Sequence, residues 1–457
     1  MSRRFLKGTS GVMAAVLTMA LCACGSTADN TNTQPVSDSA AASTTQTQSA
    51  AGTTEIGFAW WGNQVRNENT QKGVDLYNEQ NPDVKVNTQF FSWADYWDKL
   101  ATSAAGQKLP DVVQMDYSYI KQYSDKEQLL DLMPYIESGA LDVSNIDDTV
   151  LQMGKIGDGT YGIAAGVNAM AMFYNKTVLD EAGITIKDNM TLDEFIEVAK
   201  EVTEKTGYRA NLIDTYSNYM EPFARANDIF VKGQQLGGSS AADYLPYFQV
   251  EKQGIDEGWQ LPPDISGQNT ALEQDPMVYG SSPETMAWCK SNGSNTLGAY
   301  QNAAPEGVEI GITTIPTSDP KKSNYLKPSM LFSISANTAN PDEAVAFLNF
   351  LINSQDFYDI MLADRGIPSN QEISKTIMPK LGEQDQKATV YVNDVVTPNC
   401  SPIGAPTEDG YTEQLDMLRG LDEQVQYGEI TPEDAAEQYF TKATEIFNEA
   451  AKKVANN

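Results

Sequence analysis

The chain has 457 residues, and single hydrophobic cores stop growing near ~250–300, so two lobes or domains are expected. Apolar residues make up 41% and charged residues 20%, an ordinary globular profile, but 62 acidic against 31 basic residues give a formal charge of −31, which repels phosphate backbones and makes nucleic acid a poor partner. Histidine is absent, which removes the usual general base, the Ser-His and Cys-His nucleophile pairs and the commonest metal ligand; four scattered cysteines fit neither a zinc ribbon nor a disulfide scaffold.

In chain order, Arg3, Arg4 and Lys7 form a positive n-region and Val12 to Leu21 an apolar stretch too short to span a bilayer as a mature helix. Leu21-Cys22-Ala23-Cys24-Gly25 then resembles a bacterial lipobox. The resemblance implies a lipoprotein signal peptide over residues 1–23 and diacylglycerol on the sulfur of Cys24. Residues 24–54 are dominated by Ser, Thr, Ala, Gln and Asn, without an aromatic residue, and read as a flexible tether with a span of about 30 Å, from ~5–6 Å × √n.

The body alternates strand and helix. Glu55 to Trp60 is a strand, Arg66 to Gln80 a helix stopped by Asn81-Pro82, and Val84 to Phe91 a second strand. Ser92-Trp93-Ala94-Asp95 opens a helix that buries Trp97, Leu100, Ala101 and Ala104 at i, i+3, i+4, i+7 spacing, and Asp111 to Met115 is a third strand. Thr191-Leu192-Asp193-Glu194 is a capping box before a helix to about Lys205, and Asn340-Pro341-Asp342-Glu343 caps another. Residues 232–270, rich in Gly, Gln and Pro, read as loops and short helices. The pattern argues α/β with mostly parallel sheets.

Six segments in order carry a resemblance: Phe58-Ala59-Trp60-Trp61-Gly62-Asn63, NEQNPDVKV (78–86), LPDVVQMD (109–116), YGIAAGVNAMAMFYNKTVLDEAGI (161–184), SISANTANPDEAVAFLNFLI (333–352) and DRGIPSN (364–370). Together they resemble the extracellular solute-binding proteins of bacterial ABC importers, in the carbohydrate-binding, maltose-binding-protein-like family 1. The resemblance implies a two-lobed periplasmic-binding-protein-like (type II) α/β fold with a multi-strand hinge. The first lobe would comprise residues 55–165 and 332–367, the second 166–331 and 368–457. It further implies a monomer on the outer face of the cytoplasmic membrane, a mono- or oligosaccharide held between the lobes, delivery to ABC permease transmembrane subunits, and no enzymatic activity, cofactor or metal.

A sugar needs aromatic faces for its C–H surface and planar bidentate groups for its hydroxyl pairs. Ligands of open α/β sheets sit outside the carboxyl ends of strands. On that basis the expected ligand residues are Trp61 and Asn63 after the first strand, Trp93 and Tyr96 at the start of a helix, and Asp116 and Tyr117 after the third strand. The resemblance implies lobe crossings at which Asn168 and Arg365 lie, and an aromatic floor from the segment that holds Trp288 and Asn292. Trp60 is expected to be partly core and Trp97 core; Asp116 also stands where a helix cap stands, and Arg365 where a hinge cation paired to a carboxylate stands. The register of Tyr216 and Tyr219 is unreadable, and pairing of Cys289 with Cys400 stays open. Only five arginines follow residue 23, which favours a neutral sugar over an anionic one. An anchored glycoside hydrolase, which needs only two carboxylates, and a surface glycan-binding lipoprotein without a transport role are the alternatives.

Overall fold

A computed structural model of the chain describes residues 52–214, 218–233, 235–267, 272–404 and 410–455. Residues 1–51, with the leader, Cys24 and most of the expected tether, lie outside the described residues, as does Tyr216.

The first strand, β1 (Thr54–Trp61), begins inside the stretch read as tether. It runs parallel to β2 (Val84–Phe91), in register from Thr54 opposite Val84 to Trp61 opposite Phe91, and on its other edge parallel to β3 (Val112–Met115). All four residues of β3 are buried, as a central strand covered on both faces must be. A short antiparallel hairpin, β4 (Lys155–Ile156) and β5 (Gly159–Thr160), precedes the long β6 (Ile163–Asn175).

Strand β6 serves two sets of partners. Over Ile163–Ala169 it lies between β10 (Leu326–Ile334) and β11 (Ile367–Pro368), both antiparallel to it. From Met170 onward it pairs with β8 (Ala287–Gly293) on one edge and β9 (Ile310–Thr313) on the other, again antiparallel. Strand β7 (Arg209–Asn211) adds to β8 in parallel. The sheet is therefore mixed rather than mostly parallel. Strand β10 brings the chain back from the β8–β9 region to β3, so it runs against both β3 and β6.

Apolar side chains gather into two cores. In one, Phe58 meets Trp60 at 5.0 Å, Phe332 at 5.9 Å and Phe347 at 5.4 Å. The other holds Phe195, Tyr247, Phe248, Trp259, Trp288 and Tyr439. Two cores are what the chain length demands.

The helix signals mostly hold. Thr191 and Glu194 close a reciprocal capping box on Leu192–Thr206, which ends at left-handed Gly207 (φ 80°). Ser92 caps Trp93–Ala105. Asn340 precedes Pro341–Asn353 without a side-chain cap; its Nδ2 instead donates to the Glu55 carbonyl at 3.2 Å, tying that helix to β1. The stretch read as loops and short helices contains a twelve-residue helix, Leu245–Asp256, whose Tyr247, Phe248 and Val250 are buried. Trp97 is half-buried rather than core, stacked on Tyr119 at 3.9 Å. Cys289 and Cys400 are both free thiols, and burial raises the pKa of each.

Candidate functional site

A cavity of about 380 Å³ opens beside the point where β6 changes partners. Met170 of β6 and Lys327 of β10 line one side. Tyr117, the first residue of helix Tyr117–Asp125, enters directly after the carboxyl end of β3. The remaining wall comes from later segments: Glu221 and Ala224 of helix Met220–Ala226, the aromatic rings of Phe230, Tyr244, Tyr325, Tyr411 and Tyr439, and Gln414 of helix Tyr411–Gln426. An apolar, aromatic wall with a few convergent polar groups is the ordinary construction of a small-molecule site.

Hydrogen bonds fix Tyr244, Tyr439 and Tyr117. The Tyr244 hydroxyl donates to the Gly237 carbonyl at 2.7 Å, and Tyr439 donates to Gln414 Oε1 at 2.7 Å. The Tyr117 hydroxyl donates to the Gly404 carbonyl, so the β3 end and the 401–404 segment meet across the cavity; burial pushes that hydroxyl up to about 12. Arg225, only 3% exposed, lies 4.5 Å from the Tyr325 ring centre and 5.2 Å from that of Phe230. Its Nη1 stands 3.5 Å from Glu221 Oε1. Burial raises the Glu221 pKa, while Arg225 and Lys327 pull it down. The arrangement offers ring faces, one carboxylate acceptor, an amide and an ammonium, which is the chemistry a polyhydroxylated ring engages.

Of the residues expected from sequence, Tyr117 lines this cavity. Asn63 is exposed and caps the helix Gln64–Gln80, accepting from the Arg66 amide at 2.9 Å. Trp61 is 8% exposed, packed edge-on against Trp93 at 5.0 Å and Tyr96 at 5.2 Å. Trp60 is wholly buried rather than partly so. Trp93 stands 47% exposed at the rim of this cluster, whereas Tyr96 is buried with its hydroxyl on the Gln114 carbonyl at 2.6 Å. Asn168 lines a separate cavity of about 340 Å³ with Arg66, Asn295 and Thr389.

Two expectations are corrected by burial and a third by hydrogen bonding. Trp288 is fully buried against Phe195, ring centres 5.6 Å apart, so it supplies core packing where an aromatic floor was expected. Asn292 donates to the Tyr300 hydroxyl at 3.3 Å, which donates to Asp275 beside Lys290, an internal polar network. Arg365, expected at the ligand, is 3% exposed, and its fork donates within the core to Gln114 Oε1 at 3.0 Å and Thr70 Oγ1 at 2.8 Å; neither is the carboxylate that the alternative hinge-cation reading paired it with.

Asp116 is the N-cap of helix Tyr117–Asp125: its Oδ1 accepts from the Ser118 amide at 2.9 Å and from the Ser118 hydroxyl. Asp116→Ala is therefore expected to lower unliganded stability by about 1 kcal/mol and to leave affinity nearly unchanged. Chemical denaturation beside a binding titration checks both halves; a large affinity loss at unchanged stability would reverse the assignment. Sequence reasoning missed Glu221, Arg225, Phe230, Tyr325, Tyr411 and Tyr439. The only nearby signal was the Tyr/Asn-rich stretch before Glu221, whose Tyr219 is wholly buried.

The chain resembles known proteins over most of its length. It is 22% identical over 333 residues to a lactose-binding protein of Rhizobium radiobacter, covering 69% of this chain and 74% of that one. It is 22% identical over 352 residues to a maltooligosaccharide ABC transporter solute-binding lipoprotein of Streptococcus pneumoniae, covering 75% and 79%. A solved family 1 extracellular solute-binding protein of Alicyclobacillus acidocaldarius superposes with a TM-score of 0.77 at 24% identity, over 87% of this chain and all of that one, so the fold is the two-lobed α/β architecture of such proteins. Among the described residues no helix is long and apolar enough to cross a membrane. The family described as bacterial extracellular solute-binding protein matches residues 72–389, and the chain belongs to that family.

Proposed function

We propose that the protein is the lipid-anchored substrate-binding component of an ABC importer, which captures a neutral mono- or oligosaccharide in the cavity around Glu221 and hands it to the permease. The observation that carries the reading is the cavity's wall: five aromatic rings and Tyr117 surround a single half-buried carboxylate, Glu221. A neutral sugar ring has C–H faces for the former and hydroxyl pairs for the latter. Relatives named for lactose and maltooligosaccharides support the ligand class, and a relative named as a lipoprotein supports anchoring through Cys24.

In this reading the lobes are residues 55–165 with 332–367, and 166–331 with 368–457. The hinge follows β6 and β10, where β6 exchanges one set of partners for another. Tyr117 then lies on the first lobe, across the cleft from the second-lobe wall that carries Glu221, with Lys327 on the hinge strand β10, and ligand closes the cleft. Small-angle scattering is expected to show a smaller radius of gyration with sugar. Because ligand binds only the folded state, saturation at ~100 × Kd adds about 2.7 kcal/mol of stability. A thermal-shift screen across neutral and uronate oligosaccharides tests the ligand class; a response to uronates alone would overturn the neutral assignment.

A further inference from the structure

Resting on the reading of this cavity as the ligand site, we propose that Arg225 is the positioning residue that holds Glu221 ready for ligand and couples it to the segment gripping the opposite lobe. Arg225 touches four pieces of the wall without itself lining the cavity. Through Nη1 it faces Glu221 one helical turn away, at 3.5 Å. Its guanidinium lies against the rings of Tyr325 and Phe230. Through Nη2 it donates to Ser401 Oγ at 2.6 Å and to the Pro402 carbonyl. Ile403 and Gly404, the next residues, line the cavity, and the Gly404 carbonyl takes the Tyr117 hydroxyl.

A buried cation ordinarily spends its donors on fixed partners. Here Nε has no hydrogen-bond partner, and Nη1 faces Glu221 without completing a hydrogen bond. The guanidinium thus keeps donors in reserve beside the one carboxylate of the cavity. A ligand hydroxyl that draws Glu221 by a few tenths of an ångström changes the Arg225 contact, and with it the seating of residues 401–404 under Tyr117. The charged and titratable groups facing Glu221 are Arg225, Lys327, Tyr325, Tyr411 and Tyr439. Of these, Arg225 is the cation paired with Glu221 at 3.5 Å, and its side chain donates to Ser401 in the 401–404 segment.

The test is calorimetric titration with lactose and maltotriose at pH 5, 6, 7 and 8, on wild type, Glu221→Gln, Arg225→Met and Arg225→Lys. Both Glu221→Gln and Arg225→Met are expected to weaken binding tenfold or more at pH 7. Without the neighbouring cation the Glu221 carboxylate protonates more readily, so the affinity of Arg225→Met falls further as pH drops from 8 to 5. Glu221→Gln has no such limb, and Arg225→Lys restores the wild-type profile. A purely structural role would lower affinity at all four pH values alike, and that result overturns the inference. Arg225→Met with wild-type affinity and profile also overturns it while leaving the site reading intact. Undiminished binding by Glu221→Gln, or wild type that takes up neither sugar, overturns the site reading itself. If Arg225→Met does not fold, Arg225→Gln removes the charge and keeps a hydrogen-bonding side chain; an affinity that falls further than that of wild type from pH 8 to 5 supports the coupling, and the wild-type pH profile overturns it.

Discussion

Glu221→Ala is expected to weaken sugar binding by roughly 10- to 150-fold, because a hydrogen bond to a charged group is worth ~1.5–3 kcal/mol and each decade of affinity ~1.4 kcal/mol. The side chain is 32% exposed at the cavity, so water replaces its ligand contacts in the unliganded protein. Its loss also takes from the buried Arg225 the acidic neighbour that stands 3.5 Å away. Unliganded stability is therefore expected to fall as well, and denaturant melts of the unliganded variant beside the binding titration separate the two effects. A variant that loses stability but binds sugar as wild type does would make Glu221 a structural partner of Arg225 and nothing more.

Glu251→Gln is expected to stabilise the protein at neutral and alkaline pH. Glu251 on helix Leu245–Asp256 and Asp422 on helix Tyr411–Gln426 are both completely buried. Gln426 Nε2 donates to Glu251 Oε1 at 2.6 Å, and the Tyr247 hydroxyl lies 3.2 Å from Asp422 Oδ2. Three buried acceptors remain without a donor: Glu251 Oε2, Asp422 Oδ1 and Gln426 Oε1. A proton on each carboxyl supplies the missing donors. Burial accordingly lifts Glu251 from 4.5 to about 8, with Asp214 adding to the rise, and lifts Asp422 in the same direction.

A carboxyl whose folded pKa is raised gives its full stability below the unfolded pKa. As pH climbs the unfolded chain ionises first, and stability falls until the folded pKa is reached. For Glu251 that window runs from about 4.5 to about 8. Glutamine does not titrate and brings its own donor. Each pH step of one across the window changes the balance by at most ~1.36 kcal/mol. The stability difference between Glu251→Gln and wild type should therefore be small at pH 4.5 and grow to a few kcal/mol at pH 8. Denaturant melts at pH 5, 6.5 and 8 measure it, and a difference that does not change with pH would contradict the protonated core. Helix Tyr411–Gln426 also carries Tyr411 and Gln414 into the cavity, so this acid pair supports the site from behind.

The elements of the first half were readable because each carries a local signal. Val84–Phe91 came out with its observed ends because Asn81-Pro82 and Ser92 punctuate it on either side. The helix Leu245–Asp256 was hidden because Pro246, Gln249, Gln253 and Gly254 dilute its apolar periodicity, and tertiary packing of Tyr247 and Phe248 supplies what propensity lacks. The mixed sheet direction was hidden for another reason. Whether β10 runs with or against β3 depends on where a chain more than 200 residues further on re-enters the sheet.

The site was less legible than the fold. Strand-end position pointed at Tyr117, which lines the cavity, and also at Asp116, one residue earlier, whose side chain turns back to cap its own helix. Trp288 and Tyr96 have the right chemistry and the wrong side of the backbone, which alternation alone does not assign in a strand buried on both faces or in the first turn of a helix. Glu221, Tyr325, Tyr411 and Tyr439 converge from segments spread over more than 200 residues, and nothing in their neighbours marks them out from 62 acidic residues and 21 tyrosines.

The most direct test of sugar capture around Glu221 is titration calorimetry of the wild-type protein and of Glu221→Ala with lactose, maltotriose and a neutral oligosaccharide panel. One-to-one binding of at least one sugar by wild type is expected, with at least tenfold weaker binding of that sugar by the variant. No heat from any sugar, or equal affinity in the two proteins, would contradict it.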